Sequence, residues 1–243
     1  RDAGGHATPV RCRLKLWQTQ YVMSMSLRVV VPPHPLIGHW LTLLRDGATP
    51  SPLFATAMAE LGRWLTYESL RDWLPHRRVT VETPLGRSEG QVVDPEIPLL
   101  VIPVLREGLG LWQGGQSVLP SAQLAHVGLE PCGPEHKPHW FLDDLPATID
   151  TRSGVLVFLP CLASGSILLA LLDRLQGLGV EGQRLRVITP LAANPGLQVV
   201  GERHGQLTIY CAGIDPEVDD QNRIVPGIGE VSQRLFGIAS ATA

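Results

Sequence analysis

The sequence predicts an α/β domain with a parallel, doubly wound sheet flanked by helices, plus a small hairpin or hood outside it. Three observations carry that expectation. Four short segments, at 99–103, 155–159, 185–191 and 207–212, read as strands, and 99–103 is a continuous apolar run of the kind buried in a parallel sheet. Stretches with helical spacing alternate with them, 167–178 being the most strongly apolar. The connections are short, and strands and helices alternating in this way wind into a parallel sheet.

In chain order, the first 24 residues carry Arg1, Arg11, Arg13 and Lys15 against one acid, Asp2, without clear periodicity. They read as a basic, acid-poor transit peptide or as appended or upstream sequence before a natural start at Met25; their poverty in serine favours the second. A single domain is expected over 25–240. Residues 27–31 are a β-prone run stopped by Pro32-Pro33, and 34–46 read as a short helix. A longer helix starts at Ser51-Pro52, since proline suits a first turn. Phe54, Met58, Leu61, Leu65 and Leu70 recur along it until Pro75 ends it. Val79 and Val81, then Val92 and Val93, flank a turn around Pro84 and Gly86, which predicts the hairpin.

After the strand at 99–103, residues 108–119 read as a helix containing Gly110, Gly114 and Gly115, and 123–127 as a strand. Residues 130–138 are rich in proline, glycine and charge, so an exposed loop or hairpin is expected. The strand 155–159, helix 167–178, strand 185–191, helix 195–204 and strand 207–212 complete the alternation.

Composition excludes several classes. Hydrophobic residues make up 44% and charged residues 18% of 243, which is globular composition with enough length for a full core. A net charge of −3 leaves no basic stripe for nucleic acid. No apolar run approaches the ~20 residues of a membrane span. Cys12, Cys132, Cys161 and Cys211 form no C-x-x-C pair, which points to a reducing compartment: the cytoplasm, or a plastid if the leader is a transit peptide.

The segment 155–172 reads strand, short loop, helix, with the small residues Ala163, Ser164, Gly165 and Ser166 where the helix begins. Unpaired amides and the positive end of the helix dipole make such a start a phosphate cradle, and it lies where open α/β sheets bind ligands. The same residues also read as an ordinary strand-to-helix turn with a serine N-cap.

At this loop the chain resembles the uracil phosphoribosyltransferases, whose phosphate-binding strand ends in DPMLATGGS; here it is LPCLASGSI, Leu159 to Ile167. Other motifs follow the family pattern in order: HPLIGHWLTLLRDGAT from His34, LGRWLTYE from Leu61, VTVETPL from Val79, IPVLREGLG from Ile102, HVGL from His126 and IVPGIGE from Ile224, with Arg234 and Phe236-Gly237 extending the match.

The resemblance implies a type I phosphoribosyltransferase fold that joins uracil to ribose 5-phosphate in pyrimidine salvage, releasing pyrophosphate, with Mg²⁺. It implies that Arg106 holds pyrophosphate and that Leu162, Ala163, Ser164, Gly165 and Ser166 hold the 5-phosphate. Backbone groups of Ile224 and Gly229 would read uracil beside Val231. Glu230 replaces a family aspartate near the base and the metal side. A homodimer is implied, and no membrane or nucleic-acid partner.

The sequence departs from the pattern on the ligand side. Leu159 replaces the aspartate that opens the phosphate loop, and leucine can neither ligate Mg²⁺ nor accept a hydroxyl. Pro131 stands where the hairpin normally carries an arginine for pyrophosphate. Ser166 and Ile167 replace glycine and serine, Glu107 adds an acid beside Arg106, and Arg223 replaces tyrosine. Two readings therefore stay open: an active transferase, or an impaired homologue kept for binding or regulation. The loop residues Cys132, His136 and His139 lack a fourth zinc ligand and read as an exposed polar loop. His34 and His39 read as structural. Trp40, Trp64 and Trp73 are placed on the N-terminal helices, in the core or at a dimer face.

Overall fold

The computed structural model describes residues 27–119, 121–133 and 137–237. The 1–24 leader, Met25, Cys12, His136 and 238–240 lie outside the described residues.

The main sheet holds β1 (Arg28–Val30), β4 (Leu99–Leu105), β5 (Gln123–Leu124), β6 (Val127–Cys132), β7 (Lys137–Asp143), β8 (Gly154–Phe158), β9 (Leu185–Ala193) and β10 (Thr208–Asp215). The order is β1-β10-β9-β8-β4-β6-β7, with β5 also paired to β4; all neighbours are parallel except β6 and β7. From β4 the chain moves outward to β6, and from β8 it moves the other way to β9. The direction of winding therefore changes between β4 and β8, and ligands of open α/β sheets sit at such a crevice.

Two apolar layers cover the sheet. On one face α4 (Ser166–Gly177) and α5 (Asn194–Arg203) bury Leu168, Leu171 and Val200 against Val155, Val157 and Val187. On the other, α1 (Pro35–Arg45), α2 (Ser51–Leu70), α3 (Gly108–Gly115) and α6 (Val231–Phe236) close over Val101, Leu156 and Ile188. The hairpin of β2 (His76–Thr83) and β3 (Gly86–Val93) stands apart from the main sheet, and β11 (Glu217–Val218) pairs with β12 (Ile224–Val225). No helix among the described residues is long and apolar enough to cross a membrane.

Several boundaries differ from expectation, each for a local reason. The strand expected at 123–127 is two pieces, and the break falls beside Ile102 and Pro103 of β4, where Pro103 has no amide for a ladder. The long helix starts at Ser51, with Pro50 as its cap, and ends at Leu70; residues 71–74 leave it through bonds from Arg71 N to Glu68 O and from Trp73 N to Leu70 O. Trp73 therefore sits beyond α2 rather than on it. Its ring stacks on Arg186 at 5.2 Å, and its Nε1 donates to Gln183 O.

The glycines that weaken α3 as an isolated helix explain its packing. A Cβ on Gly114 would run into the Ala59 carbonyl of α2, and one on Gly62 into the Leu111 carbonyl of α3. The two helices meet backbone to backbone, which only glycine allows. His34 caps α1, its Nδ1 accepting from Leu36 N, in line with the structural role expected of it. Cys132 and His139 lie on β6 and β7, where His139 faces Glu130 across the hairpin.

Candidate functional site

Two adjoining cavities open at the C-terminal ends of β4, β6 and β8, of about 590 and about 210 Å³. Pro131, Leu159, Cys161, Ile167 and Glu230 border both, so they form one cleft. It sits at the crevice where the winding changes direction.

Arg106 and Glu107 follow β4 and line the larger cavity. The Leu105–Arg106 peptide is cis. Glu107 turns its carboxylate to the backbone, accepting from Arg106 N at 3.1 Å, and it makes no salt bridge with the Arg106 side chain. Arg106 is exposed to the cleft.

The loop after β8 is held by the neighbouring strand. Leu159 N donates to Ile188 O at 2.9 Å, Leu162 N to Leu191 O at 3.0 Å, and Ala193 N to Leu162 O at 2.8 Å. Gly165, at φ 85°, caps α4 in the left-handed region that favours glycine. No side chain caps this helix, so the serine N-cap reading is overturned. Ser164 and Ser166 instead pair with each other, Oγ to Oγ 3.2 Å, beside the smaller cavity. From below, α5 presses its backbone on the loop: a Cβ on Gly196 would strike Ala163 O.

The third wall is the segment after β12. Its Val225–Pro226 bond is cis. Gly227 N donates to Asp215 Oδ2 at 2.8 Å, and Gly227 O accepts from Arg45 Nη1 at 3.0 Å. Arg234 lies over the Phe54 ring and donates to the carbonyls of Leu44, Asp46 and Ile228. These bonds hold the loop to the ends of α1 and β10.

The expected residues divide. Arg106, Glu230 and Val231 meet on the larger cavity, and Leu162 to Ser166 with Glu230 on the smaller. Ile224 packs against the core, and Gly229 borders a separate cavity of about 480 Å³ with Arg45 and Arg234. Residues outside the expected set also line the cleft: Phe141 on β7, and the 221–223 turn. Phe141 carries no motif; only the hairpin fold brings it there, its ring against Gly128.

Acids dominate the local field. Burial, then the charges of Glu230, Glu107 and Asp215, pushes the Cys161 thiol up to about 12. Leu159 is 2% exposed and packs with Leu162 and Leu168, so the position without its acid is part of the core. Among the described residues no group of three or more His, Cys, Asp or Glu gathers as a metal cage. Glu107, Glu130 and Glu230 each border the larger cavity.

The family model for uracil phosphoribosyltransferase matches residues 31–238. The chain belongs to the uracil phosphoribosyltransferase family. It is 47% identical over 215 residues to a uracil phosphoribosyltransferase of Synechococcus elongatus, covering 88% of this chain and 99% of that one. It is 38% identical over 230 residues to a chloroplastic uracil phosphoribosyltransferase of Arabidopsis thaliana, covering 94% of this chain and 78% of the relative. The solved AQ2163 protein of Aquifex aeolicus superposes with a TM-score of 0.79 at 26% identity, covering 87% of this chain and 99% of that chain. The type I phosphoribosyltransferase fold expected of this family is thus the fold observed.

Proposed function

We propose that this chain transfers ribose 5-phosphate from phosphoribosyl pyrophosphate to uracil, giving UMP and pyrophosphate. One observation carries the reading. A single cleft at the β4/β8 crevice gathers Arg106, the uncapped start of α4, Glu230 and Val231, in a chain whose family relatives bear that activity in their names.

The chemistry suits these groups. Uracil N1 bonds to ribose C1 as the bond from C1 to the pyrophosphate oxygen breaks; the N1 proton leaves to water. Positive charge grows on the ribosyl group and negative charge on the leaving group, so positioning and charge stabilisation set the rate. Arg106 answers the leaving group with a guanidinium that forks onto two oxygens. The α4 amides and the hydroxyls of Ser164 and Ser166 hold the 5-phosphate. Mg²⁺ bound here would draw on carboxylate oxygens of Glu107, Glu130 and Glu230 and would offset the charge of the phosphates. Pro131, Leu159 and Ile167 border the cleft, and the names of the relatives support an active enzyme over an impaired homologue.

The apolar side chains exposed on the β2–β3 hairpin, Val81, Leu85, Val92 and Val93, support a homodimer, which sedimentation would measure. The chloroplastic relative keeps a plastid beside the cytoplasm as a place of action, and a fluorescent fusion of the full chain separates the two. The deciding experiment incubates the purified chain with labelled uracil, phosphoribosyl pyrophosphate and Mg²⁺. UMP is expected to accumulate and Arg106→Ala to reduce it by about 10²-fold or more; no UMP above background refutes the proposal.

A further inference from the structure

Arg223 is the sole cation bordering the smaller cavity among the described residues. Its side chain, 60% exposed, is no part of the core. Asp219 nevertheless fixes it. Asp219 Oδ1 accepts from the amides of Gln221 and Arg223, both at 2.9 Å, and closes the turn. Oδ2 accepts from Arg223 Nε and Nη2, both at 2.7 Å. Asn222 takes the positive φ, 58°, that the turn demands, a conformation asparagine tolerates. One edge of the guanidinium is thus clamped. Its Nη1 has no acceptor among the described residues.

Bordering the same cavity, the amides of Gly165, Ser166 and Ile167 at the start of α4 also have no acceptor among the described residues. Pro131, where the family pattern has an arginine, borders this same cavity. Glu230 does too, and would repel a phosphate dianion that met only neutral donors.

We propose that Arg223 binds the 5-phosphate of the sugar-phosphate substrate in the cavity it shares with the α4 start. The inference rests on the transferase reading for the identity of the ligand. Asp219 already balances the charge of Arg223 at a distance. The contribution is therefore a directed, charge-assisted hydrogen bond rather than a long-range field, and it depends only weakly on salt.

The test is calorimetric titration of the full chain, wild type and variants, with ribose 5-phosphate and separately with inorganic pyrophosphate. Arg223→Ala is expected to weaken ribose 5-phosphate binding by about tenfold or more and to change pyrophosphate binding by less than about twofold. Arg223→Lys should recover part of the loss. Asp219→Asn, which keeps an acceptor for the turn, should show a smaller loss. It also serves as the second variant if Arg223→Ala does not fold. In steady-state assays the same changes should raise KM for phosphoribosyl pyrophosphate and leave KM for uracil in place. Unchanged ribose 5-phosphate binding in Arg223→Ala overturns the inference. So does a loss confined to pyrophosphate, or a wild type without ribose 5-phosphate affinity. The transferase reading stands or falls separately, on UMP formation by the wild type.

Discussion

Arg45 and Asp215, 170 positions apart, form a two-point ion pair, Nη1 to Oδ2 at 2.9 Å and Nη2 to Oδ1 at 2.6 Å. Both also bond the Gly227 peptide, one at its oxygen and one at its nitrogen. The pair thus ties the ends of α1 and β10 to the loop proposed to read uracil.

Removing one partner leaves the other without its counter-charge. Arg45→Ala is expected to cost about 2–4 kcal/mol, toward the lower end because Arg45 keeps some access to water. KM for uracil should rise more than KM for phosphoribosyl pyrophosphate. Urea unfolding and initial rates check both parts.

The same pair gives a pH dependence. Burial alone raises the Asp215 pKa, but the Arg45 and Gly227 hydrogen bonds and the Arg45 charge outweigh it and hold the carboxyl below its ordinary value. A depressed folded pKa means stability that is complete above the unfolded value, about 3.9, and that is lost as pH falls through the folded one. The Tm gap between wild type and Asp215→Asn is therefore expected to be constant at neutral pH and to shrink below about pH 4. A gap independent of pH down to the acid limit would contradict it.

Gly114→Ala should be costly, because the added Cβ meets the carbonyl of Ala59 rather than a yielding side chain. The expected loss is about 1–3 kcal/mol or more from overpacking, against the small gain usual for glycine to alanine in a helix. Equilibrium unfolding would show the sign at once.

Cys161 should resist alkylation at pH 8, since burial and three nearby carboxylates push its thiol up to about 12. Cys132 is exposed on β6 and should react. Peptide mapping after brief iodoacetamide treatment distinguishes them.

Leu159→Asp would restore the family residue and is nevertheless expected to destabilise, because position 159 is 2% exposed among leucines. Pro131→Arg, at an exposed position on the hairpin, should change stability by less than about 0.5 kcal/mol and lower KM for phosphoribosyl pyrophosphate. Thermal melts and rates on the two single variants separate these effects.

Much of this was readable from residue order. The four expected strands became β4, β8, β9 and β10, and residues 162–166 of the motif lie at the start of α4. Contacts between distant segments were not readable. Gly62 and Gly114 look like helix breakers until α2 and α3 are seen to touch, and Pro103 looks like a strand end until β5 and β6 are seen to divide beside it. In the site, the motifs pointed to Arg106 and residues 162–166. Phe141 and the 221–223 turn reach the cleft only through the β6–β7 hairpin and the return of the chain after β10. Leu159 reads as a missing ligand in an alignment of motifs and as a core leucine in three dimensions.

β4 and β8 are hydrogen-bonded neighbours, so the segments that leave them start about 4.8 Å apart. The gauge between the proposed grip on pyrophosphate and the proposed grip on the 5-phosphate is then set by the ladder of the sheet, not by the side chains at its lips. Substitutions at those lips can alter how firmly each end of the donor is held while the spacing between the two grips stays constant. A lineage can therefore exchange one gripping side chain for another from a different segment without rebuilding the scaffold.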